Sequence, residues 1–261
     1  MRDNLGSIKL VVMGGLFQTY IGIDVQASVK PFFYSAINAD LEIIACGHVQ
    51  LNDVEAYLSG QSSALVAVNG PVCGRSPQQE SIQSGLFDEP LTNNRFICTR
   101  TGDRELAARG FHCVDFSGKI PVWIKRSLDL SDRLRGLDYS LSGSESSHRA
   151  FFETHCDAGY WLSTGAVPYD FRTLEGRLQR QMILCEFGFS VQNPMIFLEE
   201  FTRYRLRTSQ VPADQILAGY ELRALFAAAT ALLFDLREEA VEVLGERGNG
   251  ELVLPKDFSR R

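Results

Sequence analysis

Short apolar runs closed by polar or turn residues set the pattern of this chain. The first, Tyr20 to Asp24, ends in a carboxylate. Two more apolar runs, around Phe32 to Ala36 and Leu41 to Ala45, flank Asn38-Ala39-Asp40 and read as an antiparallel pair following the first strand. Asp53 to Leu58 predicts a short helix with Asn52 as its N-cap. Ala64 to Val68 is apolar throughout, as in a central strand covered on both faces, and stops at Asn69-Gly70-Pro71. Gly74 to Arg95, rich in Ser, Gln, Gly, Pro and Asn, reads as a long loop.

A helix from Asp103 to Arg109, closed by Gly110, then a strand from Phe111 to Phe116 are expected next. Ile120 to Leu137 reads as a helix with Pro121 in its first turn. A polar loop, Ser140 to Ser147, leads into a strand at Ala150 to Glu153, and helices follow at Thr173 to Phe187 and around Pro194 to Leu206. Tyr220 to Leu236 is the clearest helix: Leu222, Leu225, Phe226, Ala229, Leu232, Leu233 and Leu236 recur at helical spacing. Glu251 to Pro255 reads as a short edge strand. Strands first, then alternating helices and strands, indicate an α/β mixed β-sheet flanked by helices, in one domain over residues 19–258. Residues 1–18 read as an N-terminal extension without fixed structure, with Met13 as the natural start.

Composition narrows the classes. A chain of 261 residues, 45% hydrophobic, can bury a substantial core. The net charge of -6 does not favour a dedicated nucleic-acid binder. Six cysteines without any C-x-x-C pair suit small buried thiols in a reducing cytoplasm. No run is read as reaching the roughly 20 apolar residues that span a membrane. The run Ile8 to Phe17 is too interrupted, at Gly14 and Gly15, for a signal peptide.

The candidate chemistry lies at strand ends. Asp24, Asn69 and Glu153 each close a predicted core strand, and α/β sheets form their sites beyond such ends. A carboxylate cluster there has a use, because hard oxygen ligands hold Mg²⁺ or Mn²⁺, which activate water at a phosphodiester. His155, two residues past Glu153, is placed to be a general base or an extra ligand if the strand continues that far.

Seven strings fall in one order: Tyr20-Ile21-Gly22-Ile23-Asp24-Val25, Val66-Ala67-Val68-Asn69-Gly70-Pro71, Phe152-Glu153-Thr154-His155, Thr173-Leu174-Glu175-Gly176-Arg177-Leu178-Gln179-Arg180-Gln181, Pro194-Met195 with Glu199-Glu200-Phe201-Thr202-Arg203, Glu221-Leu222-Arg223-Ala224-Leu225, and Glu251-Leu252-Val253-Leu254-Pro255. In that order the chain resembles an uncharacterised bacterial and archaeal family of predicted nucleases with a ribonuclease-H-like fold, over about residues 20–256. The resemblance implies a metal-dependent phosphodiesterase site. Asp24 matches its first-strand Asp and Glu153 its later-strand Glu, as catalytic residues and metal ligands. Two positions depart: Asn69 stands where many relatives have Asp, and Arg223 where relatives commonly have Asp in Glu-Leu-Asp-Ala-Leu.

An Asn carbonyl can ligate a cation but brings no charge, while a fixed guanidinium repels the metal and pairs with a carboxylate. Two readings therefore stand. The first is a Mg²⁺- or Mn²⁺-dependent nuclease on DNA or RNA, with Asp24 and Glu153 as ligands, Asn69 and Glu221 as auxiliary ligands, and Arg177, Arg180 and Arg223 as phosphate contacts. The second is a catalytically inactive ribonuclease-H-like binding or regulatory module in which Arg223 ties up Asp24 or Glu153. An actin-like phosphotransferase is disfavoured because the second nucleotide-binding half is missing.

Overall fold

Six of the seven residues of β1, Thr19–Val25, are buried. A strand buried along its length needs cover on both faces and a neighbour on both edges. In the computed structural model, which describes residues 15–74, 100–111, 114, 116, 119–142, 148–210 and 212–258, β1 has both. β2, Phe32–Ile37, pairs with it antiparallel and β4, Ala64–Asn69, parallel. β3, Ile43–Val49, extends the antiparallel side as an edge. Beyond β4 come β6, Arg149–Thr154, and β8, Asn249–Pro255, both parallel to their neighbours, then β7, Val241–Glu246, antiparallel. The two-residue β5, Ser140–Leu141, pairs with β6. The protein is thus α/β, with a mixed eight-stranded sheet flanked by helices.

Several expectations are corrected. Glu251 to Pro255 is not an edge, because β7, which the sequence reading missed, lies outside it. The first helix, α1, is Leu51–Ser59 with Gln50 at its N-cap, and Asp53 accepts the Gln50 N–H. Thr101–Ala108 forms α2. Helix α3 is Val122–Gly136, which makes Pro121 its N-cap rather than a first-turn residue. Phe111, Val114 and Phe116 lie in no strand, and the rest of that run falls outside the described residues, as do nearly all of the Gly74–Arg95 loop and residues 1–14. Leu16 and Phe17 are tied down, their N–H groups donating to Asp235. The strand at Phe152 ends at Thr154, and a helix not foreseen, α4, Cys156–Thr164, starts at once. After α5, Leu174–Phe187, the segment read as one helix is two, α6, Pro194–Glu200, and α7, Arg203–Arg207. The break is at Phe201-Thr202, where the Thr202 hydroxyl accepts the Arg205 N–H and caps α7.

The last helix, α8, Gly219–Leu236, crosses the face of β1, β2 and β4. Its run from Ala224 to Leu233 is buried on every side, not along one stripe. The outer side is covered by α4 and α5; Tyr160 stacks on Phe226 at 3.9 Å. Against the expectation that no run could span a membrane, the helical stretch Ala213–Leu236 is long and apolar enough by composition, and most of it is buried in the fold. Its alanines permit close approach to β1. A Cβ added to Gly22 would lie 1.9 Å from the Ala224 carbonyl oxygen and 2.3 Å from the Ala228 nitrogen. Gly22 therefore owes its place to packing.

The opposite face holds a second core of Ile21, Ile23, Val66, Val68 and Phe151 against Leu130 and Leu134 of α3. Strand alternation thus sorts side chains: Tyr20, Leu65 and Phe152 belong to the α8 side.

Candidate functional site

Register decides which strand-end residues meet. Asp24, Asn69 and Thr154 are aligned across β1, β4 and β6, whereas Glu153 aligns with Val68. Alternation therefore sends Asp24 and Asn69 to the α8 face and Glu153 to the α3 face. Both carboxylates border one cavity of about 800 Å³ at the carboxyl ends of these strands, yet each is engaged separately.

Asp24 is 0% exposed. Its Oδ1 accepts from Asn69 Nδ2 at 2.7 Å and from Arg223 Nε at 2.9 Å, and its Oδ2 accepts from Arg223 Nη2 at 2.9 Å. Arg223 reaches it from the first turns of α8, with its guanidinium 3.9 Å from the centre of the Phe171 ring. Asn69 turns its amide nitrogen to Asp24 and its oxygen to the Cys156 N–H at 3.0 Å, linking β1 to the start of α4. Burial pushes the Asp24 carboxyl up, and Arg223 pulls it back. Burial works against the Arg223 charge, but Asp24 outweighs it and holds the guanidinium more firmly protonated. Two parallel N–H···O bonds make this a bidentate, ionised pair.

Glu153 has a cation of its own, which the sequence reading did not single out. Arg100, 0% exposed, donates from Nη1 and Nη2 to the two Glu153 oxygens at 2.7 Å each, and from Nε and Nη2 to Asp103. The Val72 N–H adds a third bond to Glu153 at 3.0 Å. Burial raises the Glu153 pKa, with Arg100 opposing.

The remaining candidates lie elsewhere. Glu221 accepts the Ala218 N–H at 2.6 Å, closing the first turn of α8. Arg177 donates to the Leu217 and Ile216 carbonyls. Arg180 is buried and donates to the Tyr169 and Gly176 carbonyls and to Asp157. Gln181 bonds Gln192, Gln215 and Leu217. Thr173 caps α5 through the Gly176 N–H, and a Cβ at Gly176 would sit 2.0 Å from the Asp170 oxygen. The most family-like string of the sequence is thus a set of fasteners tying α5 to the loops around it. Both of its arginines are engaged in this fastening, and neither lines the strand-end cavity.

His155 is not on a strand. It is the N-cap of α4, where Nδ1 accepts the Ala158 N–H at 3.2 Å. Burial lowers its pKa, so the ring is neutral and its proton stands on Nε2. That makes it a hydrogen-bond donor at the cavity wall rather than a base.

A divalent cation needs oxygen lone pairs turned toward it. Asp24 has a guanidinium across both oxygens, Glu153 likewise, and Asn69 points its oxygen away from both. These residues as arranged do not fit Mg²⁺ or Mn²⁺, and among the described residues no group of three His, Cys, Asp or Glu forms a metal-binding cluster. No family model, no curated protein and no solved structure matches the chain.

Proposed function

We propose that this protein is a metal-independent binding module on a ribonuclease-H-like scaffold, its strand-end carboxylates paired with guanidinium groups where a nuclease would carry metal. The antiparallel meander of β3, β2 and β1, continued by parallel β4 and β6, supports that reading of the scaffold. One observation carries the function: the bidentate pair of Arg223 with fully buried Asp24, braced by Asn69. A cation already neutralises the first carboxylate, so a metal would have to displace a desolvated ion pair whose Coulomb attraction alone is roughly 4 kcal/mol at 4 Å and an effective dielectric of 20.

The metal-dependent nuclease keeps one observation in its favour, the position of the cavity beyond the carboxyl ends of three parallel strands. Titration calorimetry with Mn²⁺ separates the two. Wild type should show no saturable binding. Asn69→Asp with Arg223→Asp should gain it, because positions 24, 69 and 223 converge on one face. Wild-type binding that vanishes in Asp24→Asn, with cleavage of duplex or single-stranded nucleic acid, would overturn the proposal.

A further inference from the structure

The cavity's donors and acceptors are unequal. Four carboxylates border it, Asp24, Asp103, Glu153 and Asp157, and every one is bonded to a buried or half-buried arginine: Arg223, Arg100, Arg100 and Arg180 in turn. The lone pairs of Asp24, Asp103 and Glu153 are largely spent, while Asp157 accepts one bond among the described residues, at Oδ1. The donors are not. Arg223 uses Nε and Nη2 on Asp24, and its Nη1 has no partner among the described residues. His155 keeps its proton on Nε2. Lys119 stands on the wall with no carboxylate partner among the described residues. Beside these lies the half-buried indole of Trp123, at the start of α3, with Ile124. A volume of about 800 Å³ is within the usual range for a small-molecule site.

We infer that the pocket takes a small aromatic anion, its ring against Trp123 and its phosphate or carboxylate among Lys119, Arg223 Nη1 and His155 Nε2. A cationic ligand would find only the second oxygen of Asp157, because Asp24, Asp103 and Glu153 each have both oxygens on a guanidinium. An inorganic anion would lose the apolar contact with the indole, and a bare aromatic would leave the donors unpaired. This inference rests on the metal-independent reading of the site.

The test uses Trp123 itself. The chain has two tryptophans, and Trp161→Phe leaves Trp123 as the reporter. Phenyl phosphate, benzoate, inorganic phosphate and benzylamine are titrated in EDTA, followed by fluorescence and, on wild type, by calorimetry. Saturable binding of phenyl phosphate or benzoate is expected, and whichever binds more tightly identifies the anionic group. Inorganic phosphate should bind at least about tenfold more weakly, and Lys119→Met should weaken the aromatic anions about tenfold, the effect of one charge-assisted contact of roughly 1.4 kcal/mol. Benzylamine binding as tightly as benzoate, no binding by either aromatic anion to folded protein, or binding of a single-stranded oligonucleotide alone would overturn the inference. Binding that appears only when Mn²⁺ replaces EDTA would instead sink the metal-independent reading beneath it.

Discussion

Replacing Arg223 by Ala isolates the interaction on which the site depends. The change deletes two 2.9 Å bonds to Asp24 and the guanidinium face over Phe171, and leaves Asp24 with only the 2.7 Å bond from Asn69. The Arg223 side chain is 13% exposed and that of Asp24 0%, so solvent cannot replace what is lost. Stranding a buried charge in this way costs about 3–5 kcal/mol, which for a chain of this size lowers Tm by on the order of ten degrees. The pH dependence carries a definite sign. Without its guanidinium, burial raises the folded-state pKa of Asp24 still further above the unfolded value near 3.8. A carboxyl so raised favours the folded state at low pH, and that advantage is lost as pH climbs from the unfolded value through the raised folded one. The deficit against wild type should therefore widen from pH 5 to pH 8. Urea unfolding at both pH values, with Asp24→Asn/Arg223→Met as comparison, measures it; the neutral pair should recover most of the loss. A deficit under about 1 kcal/mol at pH 8, an equal deficit at pH 5, or a double variant as unstable as Arg223→Ala would refute the ion pair as the source.

Other outcomes follow from the same geometry. Gly22→Ala places a methyl on the backbone of α8 and should cost more than about 4 kcal/mol or prevent folding, read by circular dichroism and urea midpoint; near-normal stability would show that α8 does not sit on β1. His155, neutral in the fold and free to protonate near 6.5 once unfolded, should cost stability as pH falls below about 6.5, by up to about 1.4 kcal/mol per pH unit. His155→Asn keeps a cap acceptor and should flatten that slope between pH 7.5 and 5.5; an unchanged slope would place the titration elsewhere. Arg100→Met leaves Glu153 and Asp103 buried and unpaired, and its urea midpoint should recover when Glu153→Gln is added; no recovery would mean that Arg100 acts through Asp103 or Cys73.

The elements read correctly from sequence were those whose burial is written in a local run. Ala64 to Val68 is apolar without a break because β4 is covered on both faces, and the α8 pattern stands out because so much of it is buried. What failed depended on neighbours. β7 lacks the period-two alternation of a half-buried strand, with Val241 and Leu244 its buried positions and a register shift after Leu244, and without it β8 reads as an edge. Helix α4 starts directly after β6 on a histidine cap, so Phe151 to His155 looks continuous. At the site, the conflict between Arg223 and Asp24 was legible as two opposite charges at positions that ought to meet. The separation of Glu153 from Asp24 was not, because face parity depends on register, and register is written in pairing rather than in either strand. Arg100 escaped notice because it follows a long polar loop and belongs to no recognisable string.

Diffraction from crystals soaked in Mn²⁺, recorded at a wavelength where manganese scatters anomalously, tests the central claim most directly. No manganese peak is expected in the cavity, with the Arg223 guanidinium on Asp24 and that of Arg100 on Glu153. A peak within about 2–2.5 Å of an Asp24 or Glu153 oxygen, with the guanidinium swung away, would contradict the claim.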